Sequence, residues 1–210
     1  MSHRTVSRPR RARRQAPTSH KGRGRLRIIG GEYRRRWLPI LDSPGLRPTP
    51  DRVRETLFNW LAAACPGARV LDLYAGTGAL GLEALSRGAR DAVFVERDPQ
   101  VANALEANLA TLGATGRVET VDALMFLERT ASPFPLVFLD PPFRQDLAAA
   151  SCAALETHGW LTENAFIYLE TEREHLPQVP TTWRLHREIR AGDSIGRLYR
   201  RTASPADDGC

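Results

Sequence analysis

Apolar positions recur along this chain with two rhythms, one helical and one strand-like. Val53, Leu57, Trp60, Leu61 and Ala64 fall on one helical face at i, i+4, i+7, i+8 and i+11. Thr49 suits the N-cap of that helix, Pro50 its first position and Asp51 its positive end, while Pro66-Gly67 stops it. Just upstream, LRIIGGEYRRRWLPI predicts two short strands around Gly30-Gly31, a hairpin. From residue 68 the order becomes strand, helix, strand, helix. RVLDLY, DAVFVE, RVETVD, PLVFLD and AFIYLE are the strands. GALGLEALSRG, closed by Gly88, is a helix; PQVANALEANLATLG is another, with Pro99 near its start and Gly113 past its end. Further helical stretches lie around 123–130 and 145–158. Apolar strands without alternation, separated by helices, predict a mostly parallel α/β sheet covered on both faces. WRLHREIRAGDSIGRLYRR closes the pattern as a hairpin turning at Gly192-Asp193.

Composition alters this picture at one end only. The chain has 210 residues, 42% hydrophobic and 26% charged, ordinary for a globular domain with appendages. Its apolar runs are far shorter than the roughly 20 residues of a membrane span, and no apolar segment follows the N-terminal arginines as in a secretory signal. Cys65, Cys152 and Cys210 have no pairing or metal spacing, which predicts a cytoplasmic location, no metal, and core packing for the first two. The net charge of +6 is unevenly placed: residues 1–36 hold 13 Lys and Arg against Glu32 alone, leaving the remainder net acidic. Residues 1–24 have almost nothing to bury and are expected to form a disordered basic arm; 25–66 hold the hairpin and helix; 204–210 form a flexible tail. A basic arm on an acidic body suits a polyanion, foremost a nucleic acid.

The candidate chemistry gathers at the C-terminal ends of the strands, where open α/β sheets bind ligands. The first ends in DLYAGTGALG, in which Gly76, Gly78 and Gly81 match G-x-G-x-x-G, and Glu96 ends the next strand. Glycines allow a tight turn and close backbone approach, and an acid at Glu96 can accept from both ribose hydroxyls. This pattern serves a dinucleotide or S-adenosylmethionine alike. Asp72 shifts the balance, because a carboxylate before the loop repels a pyrophosphate and suits an ammonium and sulfonium. Asp122, ending VETVD, is placed to accept from an adenine amine.

FLDPPF, residues 138–143, ends the fourth of these strands. Two prolines cannot continue a central strand, so they make a stiff corner. An exocyclic base amine is a poor nucleophile because its lone pair is delocalised into the ring. The Asp140 carboxylate and the Pro141 carbonyl can accept its two N–H bonds and free the lone pair. Pro142 stiffens the corner, Phe143 offers a face for a flipped base, and Asp140 can take the released proton.

Asp72 to Gly81 with Glu96, Asp122 and Asp140-Pro141-Pro142-Phe143 together resemble the class I S-adenosylmethionine-dependent amino-methyltransferases. More narrowly, the chain resembles the RsmD family of bacterial 16S rRNA guanine-N2 methyltransferases from about Leu26 to Arg201. RIIGGEYRRR, RPTPDRVRETLFNWL, LDLYAGTGALGLEALSRGA, FVERD, LDPPF, GWLTENAFIYLE and the final GDS…LY hairpin carry the likeness. The resemblance implies a Rossmann-like class I methyltransferase domain over 67–203, with a small N-terminal hairpin and helix extension. It implies transfer of a methyl from S-adenosylmethionine to N2 of a guanine, leaving S-adenosylhomocysteine. Asp72, Gly76 and Gly78 would hold the methionine end, Glu96 the ribose and Asp122 the adenine, with Tyr74, Arg97 and Ala123 among the donor-binding residues. The implied partner is 16S rRNA in an assembled or assembling 30S subunit, met by a monomer without an obligate protein partner. Where the family usually has a glycine between the hairpin arginines, this chain has Arg35.

Arg34, Arg35 and Arg36 in the hairpin, and Arg52 and Arg54 on the first helix, are candidates for phosphate contacts. His158, His175 and His186 show no ligand spacing, and Trp37, Trp60, Trp160 and Trp183 are expected to pack. Three alternatives fit parts of the chain. A DNA adenine-N6 or cytosine-N4 methyltransferase shares the chemistry, but 210 residues leave no obvious target-recognition domain. A nicotinamide oxidoreductase leaves Asp72 and FLDPPF unexplained. A non-catalytic RNA-binding protein has no use for Asp140 and an intact glycine loop.

Overall fold

A computed structural model describes residues 24–41, 49–143, 145–174 and 177–202. The basic arm, Arg47-Pro48, His175 and the C-terminal tail lie outside the described residues. Strands β1 (Arg25–Arg27) and β2 (Trp37–Pro39) pair antiparallel as the expected hairpin, with Leu26 opposite Leu38. Gly31 (φ 74°) and Arg35 (φ 68°) turn the connection. Arg35 thus sits in the left-handed region that favours glycine, which accounts for the glycine usual in the resembling family.

Helix α1 (Asp51–Trp60) follows. Its cap is Pro50, not Thr49: the Pro50 carbonyl accepts from both Val53 and Arg54 amides, and Thr49 is buried. The helical spacing stops at Trp60, and residues 61–64 close as turns. The remaining elements are β3 (Arg69–Asp72), α2 (Ala79–Ser86), β4 (Asp91–Glu96), α3 (Pro99–Leu112), β5 (Gly116–Thr120), α4 (Ala123–Leu127) and β6 (Phe134–Leu139). Then come α5 (Leu147–Thr157), β7 (Leu161–Glu172), β8 (Trp183–Ala191) and β9 (Ser194–Arg201). Asp98 caps α3 by accepting from Gln100 and Val101 amides, and Gly113 ends it at φ 65°.

The seven-stranded sheet runs β5-β4-β3-β6-β7-β9-β8, parallel from β5 to β7, with β9 antiparallel to β7 and to β8. This is the Rossmann-like class I methyltransferase order. The chain winds outward from β3 through β4 to β5, then returns to β6 on the other side of β3. That reversal places a crevice at the C-terminal ends of β3 and β6, the ends that carry the glycine loop and FLDPPF. Successive strand residues point into opposite layers. Val70, Phe94, Leu136, Phe138 and Tyr168 meet α1, α2, α3 and the hairpin residues Leu26, Ile28 and Leu38. Leu71, Val93, Val137, Leu139 and Leu169 meet α4 and α5. Cys65 and Cys152 are buried thiols, one in each layer.

Glu83, fully buried on α2, fastens the hairpin to the sheet domain. Its two oxygens accept from the amides of Ile29 and Gly30 at 2.9 and 2.8 Å and from the Arg87 guanidinium at 2.8 Å. Arg54 of α1 lies 3.5 Å from it. One turn on, Ser86 donates to the Gly30 carbonyl and accepts from the Tyr33 amide.

Candidate active site

The glycine loop is shaped from within. Gly76 (φ 50°) and Gly78 (φ 74°) both take left-handed conformations, and Gly78 is the cap of α2. The Gly78 amide donates to the Ala75 carbonyl at 2.7 Å, which tightens the turn. A Cβ on Gly78 would run into the Leu105 side chain, and one on Gly81 into the Phe94 ring. Asp72 reaches across the loop, its Oδ2 accepting from the Gly81 amide at 2.9 Å. It is only 2% exposed. Burial pushes its carboxyl up to about 7, and the Glu96 charge adds to this, while the Gly81 bond opposes it. Its geometry is that of a group that sets the loop first and meets a ligand from behind it.

Glu96 also holds the loop. Oε2 accepts from the Gly76 amide at 2.9 Å and Oε1 from the Asp98 amide at 2.8 Å. The carboxylate is therefore fixed in orientation, with remaining lone pairs for hydroxyl donors. Asp122 does not end a strand: β5 stops at Thr120, and Asp122 is the N-cap of α4. Both of its bonds, from Leu124 and Met125 amides, fall on Oδ1, so Oδ2 is left for an amine. Ala123 is the buried first residue of α4, and Arg97 is exposed beside Glu96. The Tyr74 hydroxyl is bonded to Ser151 of α5 at 2.6 Å, and burial raises its pKa. Tyr74 therefore ties the loop to the far layer.

Asp140 follows the end of β6, beside β3: Asp72 pairs in register with Phe138, whose carbonyl also accepts from the Leu73 amide at 3.0 Å. The strand end is braced from below by the Phe58 ring of α1, edge-on to Phe138 with centroids 5.8 Å apart. Asp140 is half-buried, Pro141 buried and Pro142 exposed. Phe143 is left 42% exposed, a large aromatic face at the rim. Burial raises the Asp140 carboxyl well above the usual carboxylate range, and the Glu170 and Asp72 charges raise it further. The structure thus brings the glycine loop, Glu96, Asp122 and the Asp-Pro-Pro-Phe corner to one edge of the sheet.

The basic candidates divide. Arg34, Arg35 and Arg36 are exposed at the hairpin turn, and Arg52 is exposed on α1. Arg54 is not a surface residue. It is 1% exposed, pairs with Asp51 at 2.6 Å and donates to the Thr49 and Arg27 carbonyls. A lone acid in the apolar helix ALGLEALS, Glu83, was the signal for a buried cation partner. Trp160 and Trp183 are buried and Trp60 is partly buried, but Trp37 is 52% exposed, with the Arg25 guanidinium over its ring at 5.6 Å. Trp37 and Arg27 are cross-strand neighbours on the outer face of the hairpin, so Trp37 does not pack as expected. His158 bonds the Leu127 carbonyl and His186 packs on Phe166, so neither stands in the crevice. Among the described residues no group of three or more acids, cysteines or histidines could hold a metal ion.

Comparison with known proteins places this arrangement among relatives. The family described as Conserved hypothetical protein 95 matches residues 26–200. The ribosomal RNA small subunit methyltransferase D of Escherichia coli strain K12 is 53% identical over 192 residues, covering 90% of this chain and 97% of the relative. The protein of the same description from Haemophilus influenzae is 45% identical, over 84% of this chain and 94% of its own length. Among solved structures, a putative methyltransferase yhhF from Escherichia coli superposes with a TM-score of 0.82 at 51% identity, covering 86% of this chain and 100% of that one.

Proposed function

This chain belongs to the RsmD family, and from that premise we propose that it methylates the exocyclic N2 amine of one guanine in 16S rRNA, with S-adenosylmethionine as donor. Relatives carrying the description ribosomal RNA small subunit methyltransferase D support rRNA as the polymer. The observation that carries the chemistry is the adjacency of Asp72 and FLDPPF: the loop-holding acid and the base-gripping corner stand on neighbouring parallel strands. The residues fit the donor. Gly76 and Gly78 leave room for close approach, Glu96 is oriented for ribose hydroxyls, and Asp122 Oδ2 is placed for an amine. Asp72, whose proton affinity burial raises, is drawn to its ionised form by a neighbouring cation.

The donor supplies an electrophilic methyl on a sulfonium. The chain's own residues do the rest. Asp140 and the Pro141 carbonyl accept the two N–H bonds of the guanine amine, and Phe143 stacks on the extruded base. The amine lone pair forms the new N–C bond as the S–C bond breaks, its electrons staying on sulfur. The surplus N–H proton then passes to the Asp140 carboxylate, whose raised affinity suits it to that role. The exposed hairpin arginines, with Trp37, would hold the rRNA of a 30S particle.

Labelled donor offered with naked 16S rRNA, with 30S particles lacking this modification, and with DNA tests the proposal. N2-methylguanosine in digested RNA is the expected product. Label on DNA adenine or cytosine, or loss of nothing in Asp140→Ala, overturns it.

A further inference from the structure

Glu170 is a buried acid that neither the cofactor loop nor the base-gripping corner uses. It lies on β7, where Leu169 pairs in register with Leu139 of β6, so the next residues, Glu170 and Asp140, stand side by side on adjacent strands. Glu170 projects into the layer that holds Tyr168, two residues before it on β7, and Asp140, just past the end of β6, faces Glu170 and Tyr168 there. Each Glu170 oxygen is held by a different hydroxyl. Tyr168 donates to Oε2 at 3.0 Å and Ser194 to Oε1 at 2.7 Å. Ser194 opens β9 directly after the Gly192-Asp193 turn, so the terminal GDS hairpin reaches back to fix this carboxylate. Gly196, opposite Glu170, has no room for a Cβ: one would strike the Tyr168 hydroxyl. The hairpin is fitted around the Tyr168–Glu170 pair.

We propose that Glu170 is a positioning residue for methyl transfer: a fixed negative charge beside Asp140 that makes Asp140 the proton acceptor of the reaction. The assignment rests on the methyltransferase reading above. The groups around the pair are accounted for. Asp140 faces Asp72 from β3 and Tyr168 and Glu170 from β7. On β9, Arg197 is bonded to Thr171 and Glu188 instead, and on α1, Arg52 and Arg54 go to the Arg190 carbonyl and to Glu83. Among the described residues no cation lies within ion-pair distance of Glu170. Among those residues no cation pairs with its carboxylate, and the two hydroxyls fix the orientation of both oxygens beside Asp140.

The test is Glu170→Gln, which keeps shape and one acceptor oxygen but removes the charge. Carbon-13 titration of aspartate carboxyls in the full chain, with Asp140 assigned by Asp140→Asn, reads the effect without any substrate. The Asp140 midpoint should fall in Glu170→Gln by about half a pH unit or more. Glu170→Asp, which draws the charge back by one methylene, should fall in between and serves if the glutamine variant does not fold. The acid limb of kcat/KM should move the same way, while a packing defect would lower the whole profile without moving it. Coincident midpoints in all three proteins overturn the assignment. A wild-type protein that transfers no methyl to guanine overturns the reaction instead, and leaves the carboxyl titration to judge Glu170 by itself.

Discussion

The Asp72 carboxylate accepts from the Gly81 amide at 2.9 Å, spanning the glycine loop from its first strand to its helix. One acid thereby fixes the loop and carries a proton whose uptake is linked to folding. Its folded pKa of about 7 lies above the ordinary 3.8, so the folded state holds this proton more tightly than the unfolded chain does. The associated stability is full below about pH 4 and is lost as pH rises through 7, by on the order of 4 kcal/mol at the limit. Asp72→Asn should flatten that decline in urea-unfolding experiments from pH 5 to 8. Donor affinity should rise with pH across the same window in the wild type, with proton release detectable by calorimetry in two buffers, and should be flat in Asp72→Asn.

Gly81 packs its α-carbon on the Phe94 ring, which leaves no volume for a methyl group. Gly81→Ala is expected to cost about 1–3 kcal/mol of stability and to weaken donor binding as the helix start shifts. Adding Phe94→Leu should restore much of both in thermal-shift titrations. If the double variant is no better than the single, the contact is not the cause.

Glu83 is charged, fully buried and bonded to two hairpin amides and Arg87, with Arg54 3.5 Å away. Glu83→Ala should therefore lose about 3–5 kcal/mol, because it removes the buried anion beside Arg54 and Arg87 and leaves the Ile29 and Gly30 amides without their acceptor. Arg87→Ala, at a partner whose side chain is 21% exposed and whose loss keeps the amide bonds, should cost far less. Similar unfolding midpoints for the two would show that the Arg87 ion pair, not the hairpin amides, sets the loss, because Arg87→Ala leaves both amide bonds in place.

Under the proposed function the hairpin arginines would meet phosphates and Trp37 a base, so their variants should separate. Replacing Arg34, Arg35 and Arg36 together by alanine should reduce the slope of log K against log salt by about 2. Trp37→Ala should leave that slope alone and weaken binding by about 1–3 kcal/mol at every salt concentration. Filter binding to 16S rRNA fragments distinguishes the two.

Much of this was legible in sequence because the strands are short, apolar and ended by acids. Each of RVLD, DAVFVE and PLVFLD stops where its side chains would leave the layers, and that edge is where the site forms. The turn at Gly192-Asp193 was equally plain, since Gly192 has a positive φ. What sequence could not show were pairings across distance. Arg54 looks like any helix arginine until Glu83, far along the chain, is seen beneath it. Trp37 looks like a core residue because tryptophans usually are, yet alternation in a two-stranded ribbon sends it outward opposite Arg27. Glu170 ends AFIYLE as Asp140 ends PLVFLD, and the same strand-end rule applied once more would have singled it out.

Helix α2 starts in the glycine loop and, a turn and a half later, grips the hairpin through Glu83 and Ser86. The exposed arginine hairpin and the glycine loop are consequently tied to two ends of one short rod. The hairpin is not an exchangeable tag. Cutting it away would strip Arg54 of the Arg27 carbonyl and take Ile28 and Leu38 out of a shared core. Swapping in another recognition element, by engineering or by descent, requires recasting the helix that begins at the donor site.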